Sequence, residues 1–392
     1  MKRKLAVLGV AAALVAAFFL APGWVERRQN ALRAGHALAV GEAARQLHDS
    51  LLVADLHCDM LLWGRDPLER SSRGHVDLPR LQDGNVALEV FSAVTQSPRG
   101  LNTERNDAKT FDMLVPLGIL GRWPPRAWTS PLERALYQAK RLGEAAARSR
   151  GDLTLIASRR DLAAFRSRRE SHPGHPRPVG GLLAIEGMHA AEHGLADADR
   201  LIDAGYRMMG LAHFFDNRWA GSAHGVEKYG LTAEGRALVA RLEERGVLVD
   251  LAHSSPATIR DVFEIAHRPV VVSHSGVRGT CPGTRNLDDA ELRGIAATGG
   301  VVGIGFWDTA VCEATPEGIA RAIRYTVDKI GAEHVALGSD FDGAVGTPFD
   351  AAGLGQLTQA LLDAELTPDQ IRLVMGGNVA RLLAETLPDG AP

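Results

Sequence analysis

The stretch VVVSHSG, Val270 to Gly276, decides how the chain is read. Three consecutive apolar, β-branched residues with no polar alternation are the pattern of a strand buried on both faces. Such strands belong to parallel sheets covered by helices. The run then stops on His274, a side chain that is costly to bury without a partner.

Working outward, further runs of the same kind are Leu51–Leu56, Val86–Val94, Leu182–Glu186, Arg207–His213, Val247–His253, Gly300–Phe306 and His334–Asp340, which with Pro269–His274 makes eight candidate strands. Stretches at helical spacing separate them. Ala233–Arg245 has Thr232 as a cap and Gly246 as a stop, Ser255-Pro256 opens a helix to Ala266, and Pro316–Ile330 forms another. Eight strands with interposed helices predict a single (β/α)8 barrel of the TIM type over residues 51–388. An open doubly wound sheet is the rival fold, but no G-x-G-x-x-G follows a strand. Leu153–Ser158 is a candidate extra strand, and Ser97–Leu132 and Arg159–Arg177 read as loop insertions.

A length of 392 residues suits one such domain, and 45% hydrophobic content with 23% charged residues provides the core. A net charge of -3 gives no footprint of a nucleic-acid partner. Lys2, Arg3 and Lys4 precede the uncharged run Leu5–Ala21, so residues 1–25 read as a signal peptide or a short signal anchor. The expected location is exported, either periplasmic or held at the membrane by this N-terminal segment. Residues 26–50 read as a helical lead-in. In an oxidising compartment Cys281 and Cys312 could pair or stay free, while Cys58 lies inside a strand-end motif.

Those strand ends carry the chemistry. The first ends in DLHCDM, the third in AIEG, the fourth in GLAH, the fifth in VDLAHSS, the sixth in VVSHSG and the eighth in ALGSDFDG. In a barrel the C-terminal strand ends surround one cavity, which would gather His57, Asp59, Glu186, His213, His253, His274 and Asp340. Four imidazoles and three carboxylates packed together call for a cation. His57 and Asp59, two apart in an extended chain, point to one side while Cys58 points away. A catalytic zinc takes three protein ligands and keeps a place for water, and the donors here exceed that need. Two Zn2+ ions resolve the count, with His57 and Asp59 on one, His253 and His274 on the other and Glu186 shared between them.

On these residues, together with LAHFFDNRWAGSA around His213, TRN around Arg285, GSDFDG around Asp340 and GGNVARLL near the end, the sequence resembles the membrane dipeptidase (renal dipeptidase-like) family of zinc peptidases over Val53–Leu387. The resemblance implies an amidohydrolase-type barrel with two zinc ions bridged by Glu186. It implies hydrolysis of dipeptides by a metal-bridging hydroxide, including those with a C-terminal D-residue. It further implies Asp340 as the acid/base, His213 at the substrate carbonyl or oxyanion, Arg285 at the substrate carboxylate, a Cys281–Cys312 disulfide and a homodimer. One departure is His-Cys-Asp-Met in the first strand, where many relatives carry His-Asn-Asp-Leu.

Alternative readings of single residues stay open. Arg285 could cap a loop, His213 could orient a ligand, and Asp342 could exchange roles with Asp340. His189, His193 and His224 read as surface or pocket-rim residues, and Trp219 is a candidate pocket wall. Two rival functions keep the same metal shell: another binuclear amidohydrolase acting on lactones, β-lactams or amines, and an exported metal-binding protein without turnover.

Overall fold

The computed structural model of the chain describes residues 19–33, 37–172 and 174–390. The opening stretch becomes strand β7 (Val271–Ser275), entirely buried. The other strands are β1 (Val53–Cys58), β2 (Val86–Val94), β3 (Leu153–Leu155), β4 (Val179–Glu186), β5 (Tyr206–Gly210), β6 (Leu248–Asp250), β8 (Val301–Ile304) and β9 (Val335–Leu337). Their order is β2-β1-β9-β8-β7-β6-β5-β4, and β2 pairs with β4 to close the ring. Every pairing is parallel, so this is the expected eight-stranded (β/α)8 barrel. β3 is the extra strand, set against the start of β4.

The seams differ in strength. β2 and β4 stay in register from Leu88↔Gly180 to Val94↔Glu186. By contrast, β6 meets β7 at the single pair Asp250↔Val271, and β1 meets β9 at Asp55↔Leu337.

One apolar cluster takes residues from all eight barrel strands, among them Leu56, Leu88, Leu182, Met208, Leu248, Val271, Val301 and Ala336. Only a barrel interior lets eight strands converge, and Val379, Leu382, Leu383 and Leu387 of the C-terminal helix Asn378–Thr386 and the residue after it seal that cluster. A second, larger cluster joins the strands to the surrounding helices.

Local signals explain the helices. Thr232, Ser255 and Thr315 cap Ala233–Glu244, Pro256–Ile265 and Pro316–Ile330 through their side-chain oxygens, and proline opens the last two. The basic stretch expected as a loop instead folds from Arg159 to Glu170 as a helix capped by Ser158, with Leu162 and Phe165 buried in the barrel-interior cluster. Its apolar residues are few, so packing rather than pattern decides the outcome. The Ser97–Leu132 insertion contains the short helix Leu114–Leu120.

Of the expected leader, residues 1–18 lie outside the described residues. Residues 19–29 are helical, as are Glu42–Ser50 of the lead-in. Buried Glu26 pairs with Arg65 and with Arg73 at 2.9 Å, and Arg65 also pairs with Asp342. Among the described residues no helix is long and apolar enough to cross a membrane.

Cys281 and Cys312 form a disulfide across 31 positions. Closing a loop of that length constrains the unfolded chain by about 3–4 kcal/mol. Reductant is therefore expected to lower the urea midpoint of unfolding, and an unchanged midpoint would show that the bond carries no stability.

Candidate metal centre

The strands deliver the site residues in two ways. His57 lies within β1, Glu186 is the last residue of β4 and His274 lies within β7. Asp59 follows β1 directly, but His213, His253 and Asp340 stand three residues beyond Gly210, Asp250 and Leu337, on the turns and not on the strands expected to end there. His253 and Asp340 each sit at φ +60°. This left-handed geometry costs a side-chain-bearing residue about 1–2 kcal/mol and is held only where the surroundings impose it.

All seven side chains are buried and converge. Glu186 is touched on one oxygen by His57 Nε2, with His274 Nε2 at 3.7 Å from the same oxygen, and on the other by His213 Nε2 at 2.5 Å. His57 Nε2 lies 3.5 Å from Asp59 Oδ1 and 4.0 Å from Asp340 Oδ1. Donor atoms fall within 4.8 Å of one another in three sets: His57, Glu186 and His274; Glu186, His213 and His253; and His57, Asp59 and Asp340. Glu186 thus has donors on both of its oxygens.

The electrostatics are those of a cation site. Burial pushes Asp59 and Asp340 upward, helped by neighbouring carboxylates, and it pulls His253 and His274 well below the ordinary imidazole value. Burial would also raise Glu186, but His213 and His57 hold it well below the carboxylate range. Among the described residues, Asp59 Oδ1 is buried without a hydrogen bond. The Nε2 atoms of His253 and His274 face each other at 3.0 Å. Two Zn–N bonds of 2.0–2.1 Å at a tetrahedral angle would place two such nitrogens about 3.3 Å apart. Hard carboxylate and borderline imidazole donors in this mixture suit zinc, and the residues present fit two divalent ions.

Arg285 follows β7 in a loop that Asn286 ties to Cys281 O and Thr309 O. Its Nη2 donates to His274 O at 2.5 Å, its guanidinium stacks over Trp307 at 5.1 Å, and its Nε has no hydrogen-bond partner among the described residues. Asp342 is fully buried, accepts from His75 N at 2.7 Å and Val76 N at 3.2 Å, and pairs with Arg65. Trp219 is a core residue whose Nε1 donates to Met188 O. Of the rim histidines, only His193 is exposed. His224 is buried, its ring 5.2 Å from that of His253. His189 is half-buried, hydrogen-bonded to Thr95 and beside Phe215. Trp307, which holds Arg285 and lies 5.9 Å from His274, was missed in the sequence. Its one signal is a place directly after the apolar run of the seventh barrel strand.

The sequence profile of the membrane dipeptidase family (peptidase family M19) matches residues 41–388. A dipeptidase of Aspergillus oryzae, aclJ, is 35% identical over 233 residues, 54% of this chain, and verJ of Clonostachys rogersoniana is 33% identical over 215 residues, 52% of this chain. The match spans 55% of the length of each of these curated relatives. The structure also resembles that of a metallo peptidase from Rhodobacter sphaeroides liganded with a phosphinate mimic of the dipeptide L-Ala-D-Ala. The TM-score is 0.70 at 25% identity, covering 86% of this chain and 99% of that one. From its matched length and its barrel, the chain belongs to the membrane dipeptidase family, peptidase family M19.

Proposed function

We propose that the chain is a zinc-dependent dipeptidase, including toward dipeptides with a C-terminal D-residue. The observation that carries this reading is the buried Glu186 carboxylate, with histidine nitrogens gathered on both of its oxygens beside the partner-poor Arg285. The phosphinate dipeptide mimic bound by the Rhodobacter sphaeroides relative supports the substrate class.

His57 and Asp59 would hold one zinc ion, His253 and His274 the other, with Glu186 common to both. Bound there, the ions supply Lewis-acid polarisation of the scissile carbonyl and a water acidic enough to attack it near neutral pH. Asp340 takes the proton of that water on its carboxylate and passes it to the departing amine nitrogen. His213 turns its Nε2–H, which meets Glu186, to the developing oxyanion. Arg285 receives the substrate's free carboxylate.

The Glu186, His213 and His253 set favours a second reading, in which His213 is itself a ligand. His213→Ala distinguishes the two: we expect both zinc ions to be retained, and loss of one would make His213 a ligand.

If Arg285 reads the free C-terminus, Arg285→Ala lowers kcat/KM about 10–100-fold, the worth of a charge-assisted contact, chiefly through KM. A dipeptide amidated at its C-terminus should be an equally poor substrate for the unaltered enzyme and for the variant. Unimpaired cleavage of the amide by the unaltered enzyme would turn the reading toward another amidohydrolase substrate.

The body is proposed to act outside the cytoplasm. The Cys281–Cys312 bond and the basic, then apolar, N-terminus support this. A homodimer is also proposed, and light scattering on the purified chain tests it.

A further inference from the structure

Leu248 and Val271 face the barrel-interior cluster, so Asp250 and Ser273, two residues further along each strand, face the same interior one layer nearer the metal centre. The Asp250 carboxylate reaches across the thin β6–β7 seam. Its Oδ1 accepts from Ser273 N and Ala252 N, both at 2.9 Å, and its Oδ2 accepts from Ser273 Oγ at 2.6 Å. Ser273 Oγ in turn lies 2.9 Å from Nδ1 of His274 and 3.5 Å from Nδ1 of His57.

A serine hydroxyl has one proton. Here it is committed to Asp250, so toward His274 the oxygen can only accept. His274 must then carry its proton on Nδ1, which leaves the Nε2 lone pair bare and facing His253 Nε2.

A matching pair spans the other thin seam, where Asp55 Oδ1 accepts from Ser339 N at 2.9 Å and Oδ2 accepts from Ser339 Oγ. Ser339 precedes Asp340 as Ser273 precedes His274. Both pairs therefore substitute for missing ladder bonds, but among the described residues only the Asp250–Ser273 pair also hydrogen-bonds an imidazole.

We propose that Asp250 and Ser273 are positioning residues that lock His274 in its metal-binding tautomer. This rests on the reading of His274 as a ligand. Asp250→Asn is the decisive variant. Its oxygen keeps both backbone bonds across the seam, but its amide now donates to Ser273 Oγ. The hydroxyl proton then turns toward the imidazoles, to His274 Nδ1 at 2.9 Å in preference to His57 Nδ1 at 3.5 Å, and a ring that accepts it takes the Nε2–H form, which cannot bind a metal through Nε2.

The test measures zinc affinity of the full chain by competition with a chromophoric chelator, alongside the melting temperature of the metal-free protein. Asp250→Asn should weaken one of two zinc sites about 10–100-fold, the usual cost of losing a partner behind a ligand. Ser273→Ala should weaken it too, and the metal-free melting temperature of Asp250→Asn should stay near that of the unaltered protein. Unchanged affinity in Asp250→Asn overturns the proposal, and so does an affinity loss matched by a fall in metal-free stability, which would make the pair only a staple of the seam. His274→Ala separates the two levels of the argument. If it binds both ions undiminished, the ligand reading and the proposal fall together. If it loses one while Asp250→Asn loses none, only the proposal falls.

Discussion

Asp340→Asn is expected to lower kcat by about 10²–10⁴-fold, the usual worth of a positioned acid/base group, while the chain keeps its zinc. Asp340 stands on the turn after β9 at φ +60°, 4.0 Å from His57 Nε2. Asparagine is among the few residues that accept this backbone conformation readily, so the loss would be chemical and not a consequence of strain. Alanine at the same position would mix the two effects. Burial first, and then the Asp59 and Glu186 carboxylates, push the acid of Asp340 upward, while His57 and Arg285 oppose them. Kinetics with metal analysis on one sample provide the check, and an Asn variant with full zinc and near-normal kcat would remove Asp340 from the chemistry.

The second large effect concerns Glu186. Its two oxygens meet His57 on one side and His213 on the other, and its charge is held in place by both. Glu186→Gln keeps the shape but removes the charge and turns an amide donor toward one set of ligands. Breaking a buried charge pairing costs about 3–5 kcal/mol, which corresponds to about 10²–10⁴-fold in affinity. Both zinc ions should therefore weaken together and turnover should vanish with them. Loss of a single ion, with the second bound as before, would show that Glu186 serves only one.

The barrel was legible because parallel strands buried on both faces leave uninterrupted apolar runs, of which Val270–Val272 is the clearest. The runs were read too far at three places. LAH, LAH and GSD stay buried after the strands have ended at Gly210, Asp250 and Leu337. The turns that carry His213, His253 and Asp340 read as strand because they are buried, and burial, unlike pairing, is what the pattern records. The Arg159–Glu170 helix is hard to read because Leu162 and Phe165 are its only buried apolar residues and its third buried residue, Arg169, is one of many charges.

At the site, a strand-end histidine or carboxylate announces itself by contrast with its apolar run. Asp250 and Ser273 have that contrast too, but their meaning comes from each other across a seam, 23 residues apart in sequence. Trp307 likewise gains its role only when the loop bearing Arg285 folds over it.

Two metal ions held in common by Glu186 are proposed to make this chain a dipeptidase. The most direct test is to strip the full chain with chelator, return zinc stepwise and follow hydrolysis of a free dipeptide. The expected result is no turnover without metal and activity that rises to its plateau at two zinc per chain. Full activity at one zinc per chain, or turnover with none, would contradict it.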